Sequence, residues 1–152
     1  MSKPMPVLKR TLEIDAPAGE VWRVLTTPEL IREWAAAYLD GISIRTSWRE
    51  GEKITWKAPD GATRSCGTVA AFKPGRLLKL DYPDDPRGAF SDTFEIAAND
   101  RTTRLEFTTG PLAAHELEAL EGPTEDAIRE IKSLAEESAQ IHGMRQGLAR
   151  SA

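Results

Sequence analysis

The sequence predicts an α+β fold: a curved antiparallel β-sheet around a long C-terminal helix, with two short helices after the first strand. Three observations carry this. Between Gly41 and Phe107, apolar residues alternate with polar ones in short runs separated by turn residues, with no room for crossover helices, so neighbouring strands pair antiparallel. Between Ile14 and Tyr38 the apolar period changes to three and four and is broken by prolines, the mark of a helix pair. From Thr124 onward the same helical period is sustained to Leu148. A sheet with one apolar face needs a cover, and this last stretch can supply it.

Residues 1 to 6 contain two prolines and are expected to form a loose tail before a first strand over Val7–Asp15. Leu8, Leu12 and Ile14 share one face of that strand, and Arg10 interrupts it. Pro17 has a fixed φ and no amide proton, which suits a first helical turn, and it pushes Ala16 into the extended region. Ala18, Val21, Trp22 and Leu25 then form one apolar face. Thr27 is a suitable N-cap and Pro28 a suitable first residue for a second helix, on which Leu30, Ile31, Trp34 and Tyr38 face one side. Helices this short are not stable alone, so Trp22 and Trp34 must pack on the rest of the chain.

Ile42, Ile44, Thr46 and Trp48 alternate, Glu50-Gly51 turns, and Ile54 and Trp56 lie in the next strand. Pro59-Asp60-Gly61 is hairpin chemistry. The strand over Ala62–Phe72 carries Gly67 inside it, which implies a bulge, a bend or a close approach. After Lys73-Pro74-Gly75-Arg76, Leu78, Leu80 and Tyr82 share a face. A polar loop over Pro83–Gly88 leads to Phe90, Phe94 and Ile96, and Leu105 and Phe107 mark the last strand. A short helix is expected over 111–121. Pro123-Thr124 then opens a separate long one, with Glu125 and Asp126 at its positive end and Arg145 and Arg150 at its negative end. Its stripe is Ile128, Ile131, Leu134, Ala135, Ser138, Ile141, Arg145 and Leu148, with Ile131 and Leu134 expected among the most buried.

The order Ala-Pro-x-x-x-Val-Trp-x-x-Leu-Thr-x-Pro-Glu-Leu-x-x-x-Trp resembles the N-terminal signature of the Hsp90-ATPase-activator-like (AHSA1) family of the Bet v 1/START-like superfamily. Further matching pieces are Gly51-Glu52-Lys53-Ile54-Thr55-Trp56, Asp60-Gly61, Gly67-Thr68-Val69, Pro74-Gly75-Arg76-Leu77, Thr93-Phe94-Glu95-Ile96 and Thr103-Arg104-Leu105. The resemblance runs from about residue 8 to 110. It implies a helix-grip fold in which sheet and helix enclose a cavity. Asp92 departs from it, standing where the family usually has an aliphatic residue.

A chain of 152 residues, 40% hydrophobic and 29% charged, reads as one domain over 1–152 with an ordinary globular composition. The net charge of −4 argues against nucleic acid as a partner. Cys66 is the single cysteine, which excludes an internal disulfide. The N-terminus lacks a signal peptide's apolar core and no apolar run is long enough to span a bilayer, so no membrane association and a cytoplasmic location are expected. Nucleotide-binding glycine motifs and the G-x-S-x-G elbow are missing, and Cys66, His115 and His142 lack metal-ligand spacing, so neither cofactor nor metal is expected.

What remains is a ligand-binding reading: an apolar or aromatic small molecule enclosed between the sheet and the C-terminal helix. The expected ligand-binding residues are Trp34, Tyr38, Trp56, Phe90, Asp92, Phe94, Ser138 and His142, on inward faces of elements that must converge. Trp22 is assigned to the core, and Trp48 to the surface near a turn or to the pocket wall. Asp92 lies between Phe90 and Phe94 and must be matched by a cation such as Arg10 or Arg64, be partly protonated, or escape to water where the strand bends at Gly88. No residue is assigned a catalytic role. The alternatives left open are an enzyme of the polyketide cyclase/aromatase kind, as some superfamily relatives are, and a chaperone regulator or other interaction protein. A homodimer is also left open.

Overall fold

The computed structural model describes the chain from residue 6 to 151, and its side chains from 6 to 143. Residues 1 to 5 of the expected tail, and the side chains of Arg145, Leu148 and Arg150, lie outside the described residues. Strand β1 (Leu8–Ile14) is followed by helices α1 (Ala18–Thr26) and α2 (Pro28–Ala35). Strands β2 (Ser43–Thr46), β3 (Lys53–Lys57), β4 (Thr63–Lys73), β5 (Leu77–Tyr82), β6 (Phe90–Ala98) and β7 (Thr103–Gly110) come next, and helix α3 (Ala114–Ser151) ends the chain. The strands form a seven-stranded antiparallel sheet in the order β1-β7-β6-β5-β4-β3-β2. Each strand from β2 to β7 pairs with its neighbour in sequence, as short turns require; only β1 crosses, to lie beside β7. This is the curved sheet and gripped helix that the sequence predicts.

The helix pair forms for the reasons given, with one shift. Pro17 is the N-cap of α1 rather than its first helical residue, and its carbonyl accepts from the amides of Glu20 and Val21. Thr27 is the N-cap of α2 through its backbone alone; its side chain makes no cap hydrogen bond. Val21, Val24, Leu25, Ile31 and Trp34 are buried. Trp22 is half-buried, with its ring edge on Phe72 at 5.1 Å. Trp48 stacks on the same phenylalanine, with ring centres 5.7 Å apart. Both tryptophans therefore belong to one aromatic cluster away from the cavity described below.

Two expectations about α3 are corrected. No separate helix spans 111–121: α3 is continuous from Ala114, with Pro123 inside it. Proline removes one helical hydrogen bond and crowds the carbonyl four residues back, so it suggests a helix start. Tertiary packing carries the helix through, because Leu112 and Leu117 are buried on one side of the proline and Ala127 and Ile128 on the other. The buried stripe runs Thr124, Ile128, Ile131, Ala135 and Ser138 and stops there. Leu134 is only half-buried and Ile141 is exposed.

Gly67 resolves to a close approach. A Cβ there would lie 2.3 Å from the Asp81 carbonyl oxygen and 2.8 Å from the Tyr82 ring. The registry irregularities of β4 lie elsewhere, beside Trp56/Lys57 and Val69/Ala71.

Candidate functional site

The sheet, α2 and the first half of α3 line a half-open pocket of about 660 Å³. Its depth is marked by buried lining residues: Trp34 from α2, Leu80 and Tyr82 from β5, Phe94 from β6, Phe107 from β7 and Ile131 from α3. Its mouth is marked by exposed ones: Arg64 on β4, Pro86 and Arg87 in the β5–β6 loop and Ala119 on α3. The pocket exists because neighbouring strands present alternate residues inward while α3 passes over them at a side chain's length.

Six of the eight residues expected from the sequence line this pocket: Trp34, Tyr38, Trp56, Phe90, Asp92 and Phe94. Their polar atoms are mostly engaged within the protein. The Trp34 indole donates to the Val24 carbonyl at 3.0 Å, which fixes its ring edge-on to Phe94 at 5.9 Å. Trp56 donates to the Tyr82 hydroxyl at 2.9 Å. Tyr82 in turn stacks on Phe90 at 4.7 Å. The hydroxyls of Tyr38 and Thr124 lie 2.9 Å apart, joining the segment after α2 to α3. Burial raises the Tyr38 phenol to about 12 and the Tyr82 phenol well above its ordinary value, with the nearby Asp92 charge adding to both.

Asp92 points inward with Phe90 and Phe94, as strand alternation requires, and not out into water. It faces Leu80 on one neighbouring strand and Thr109 on the other. Removal from water raises its pKa to about 6, against the opposing effects of the Thr109 hydroxyl and the Arg87 charge. Neither cation suggested from the sequence forms an ion pair with it. Arg10 reaches Glu125 of α3 at 2.5 Å instead, which explains an arginine on the inner face of β1. Arg64 stands exposed at the mouth.

Ser138 and His142 do not line the pocket. They lie further along α3, against α1. Ser138 donates to Glu20 at 2.7 Å and accepts from Arg23 at 2.7 Å, and the His142 Nδ1 meets the other Glu20 oxygen. Burial opposes ionisation of Glu20, but the hydrogen bonds from Ser138 and His142 and the neighbouring positive charges hold its pKa below the usual value. The stripe reading failed here because one helix face serves two neighbours, the pocket first and α1 after it.

Sequence reasoning missed the Asp85–Arg87 pair of the β5–β6 loop. Arg87 Nε lies 3.0 Å from the Asp85 carboxylate, and the guanidinium sits over the Phe90 ring at 5.0 Å. The Asp85 hydrogen bond and charge raise the Arg87 pKa. The signal was present in Asp85-Pro86-Arg87-Gly88, where an aspartate caps its own turn by accepting from the amide two residues on. Among the described residues no cluster of His, Cys, Asp and Glu is suited to a metal, and no helix is long and apolar enough to cross a membrane.

Known structures share this fold. A crystal structure of the Mesorhizobium loti protein MLL2253 is 18% identical, covers 87% of this chain and 98% of its own, and superposes with a TM-score of 0.71. A solution structure of a Cytophaga hutchinsonii protein is 23% identical over 89% of this chain and 97% of its own, with a TM-score of 0.70. The AHSA1-like protein of Aeromonas hydrophila is 18% identical over 86% and 94%, with a TM-score of 0.66. Among curated proteins none matches the chain in sequence. The match that decides kinship is that of a family model over residues 15–136, from the helix pair to the middle of α3, and by it the chain belongs to the family of activator of Hsp90 ATPase homolog 1-like proteins.

Proposed function

We propose that this protein is a small ligand-binding module that holds an apolar or aromatic molecule between the sheet and α3. The observation that carries the reading is a pocket of about 660 Å³ walled by Trp34, Trp56, Tyr82, Phe90, Phe94 and Phe107. Ligand sites of roughly 300 to 1,000 Å³ with apolar walls and a few polar groups are the usual form of small-molecule recognition. Trp34, Tyr38, Trp56, Phe90, Asp92 and Phe94 contact the ligand in this reading; Ser138 and His142 fasten α3 to α1 and stay outside it.

The chaperone-regulator reading rests on the family description alone. The exposed large apolar side chains among the described residues are Val7 before β1, Tyr38 after α2 and Ile141 on α3. Native mass spectrometry of freshly purified protein, followed by extraction, tests the ligand reading. A bound apolar species, or uptake of an added one in one-to-one stoichiometry, supports it. A protein that neither carries nor takes up any such molecule contradicts it.

A further inference from the structure

We infer that the pocket selects ligands carrying an organic ammonium group, with Asp92 as the counter-ion and the surrounding aromatic rings as a cation-binding wall. This deepens the ligand-binding reading above and rests on it.

The inference starts from how the wall's polar groups are partnered. Trp34 and Trp56 have spent their N–H groups on Val24 and Tyr82. Tyr38 is engaged with Thr124. Arg87, the charge on the adjoining loop, is held by Asp85 through two of its nitrogens, at 3.0 and 3.4 Å. Arg10 is held by Glu125. Asp92 presents a carboxylate into the pocket with no cation within ion-pairing distance among the described residues; it is supported by the Thr109 hydroxyl and, from beyond that distance, by the charge of Arg87, which is itself paired with Asp85. A carboxylate removed from water and lacking a cation is costly, and the cost falls when a cation is supplied.

The walls favour the same charge. Phe90 and Phe94 flank Asp92 on β6, Tyr82 stacks on Phe90, and Trp56 is bonded to Tyr82. Ring faces attract cations, and a carboxylate set among rings is chemistry suited to a primary or quaternary ammonium. The protein already uses one of these rings this way, with Arg87 over Phe90. The ligand's apolar body then fills the space toward Phe107 and Ile131. The rival is an anionic ligand drawn to Arg64 and Arg87 at the mouth; in that geometry its charge would be repelled by Asp92 and Asp85 as it entered.

Three probes of one shape separate the outcomes: phenylbutylamine, phenylbutanol and phenylbutyrate, titrated calorimetrically into the wild-type protein and Asp92→Asn near neutral pH. The amine is then ionised and the acid is not protonated. The expected result is that the amine binds roughly tenfold or more tightly than the alcohol, that the acid binds most weakly, and that Asp92→Asn abolishes the amine's advantage over the alcohol. Wild-type affinity for the amine should also fall as pH drops below about 6, where Asp92 takes up a proton, and the alcohol's should not. Equal binding of amine and alcohol, tighter binding of the acid, or an amine preference that survives in Asp92→Asn overturns this inference and leaves the ligand-binding reading standing. Failure of all three probes and of uncharged aromatic probes to bind overturns both.

Discussion

The indole of Trp56 on β3 donates its hydrogen bond to the hydroxyl of Tyr82 on β5, at 2.9 Å, across the intervening strand β4. The bond can form because β4 has Gly67 where the Tyr82 ring must pass. Two wall residues are thus positioned by a third that never touches the pocket.

Gly67→Ala should therefore be disruptive. The added methyl meets a backbone oxygen and a ring, neither of which can swing away, so roughly 1 to 3 kcal/mol or more of stability should be lost. Gly19→Ala is the control: nothing lies within 4 Å of its would-be Cβ, and alanine favours the α1 helix, so stability should stay or rise slightly. Urea unfolding of both variants checks this. A Gly67→Ala protein as stable as wild type would mean that the approach of Tyr82 is not as described.

Asp92 should make stability depend on pH with a definite sign. Its folded pKa of about 6 lies above the ordinary 3.8, so between those values the folded protein keeps a proton that the unfolded chain has released. Stability from this group is thus fully present at low pH and lost as pH rises toward 6. Asp92→Asn should match wild type near pH 4 and exceed it by roughly 1 to 3 kcal/mol at neutral pH. The lowered carboxylates Glu20, Glu50 and Glu136 have the opposite slope, but they are common to both proteins and cancel in the difference, whereas Asp85 adds to the rise at Asp92 and is part of the effect read. A difference that does not change with pH would place Asp92 in water.

Ile131 tests the grip of the sheet on α3. It is 1% exposed and reaches both the pocket and the core, so Ile131→Ala should cost about 2 to 5 kcal/mol. Arg10→Ala should cost about 1 kcal/mol or less, because both side chains of its ion pair with Glu125 are about one-third exposed. A loss below about 0.5 kcal/mol for Ile131→Ala in chemical denaturation would count against the helix lying on the sheet.

The strands and the helix pair were legible because their signals are local: alternation, prolines at helix starts and glycines at turns. The inward direction of Trp34, Phe90, Asp92 and Phe94 was legible for the same reason, since side-chain direction follows from the element. What was not legible depends on partners distant in sequence. Arg10 finds Glu125 across 115 residues, and nothing near Arg10 announces it. Ser138 and His142 continue a helical stripe faithfully, yet the stripe's partner changes from pocket to α1 along its length. Pro123 reads as a boundary by local rules and is overruled by the packing of Leu117 and Ile128 on either side of it.

The four tryptophans offer the most direct test of the central claim, that the space between sheet and α3 receives an apolar ligand. Trp34 and Trp56 line that space, whereas Trp22 and Trp48 pack on Phe72 outside it. In a Trp22→Phe/Trp48→Phe double variant only the two wall indoles emit. Titration of this variant with an apolar aromatic probe should give the same saturable, micromolar change in tryptophan fluorescence as the wild-type protein. A wild-type signal that vanishes in the folded double variant, or no saturable signal in either protein, would contradict the claim.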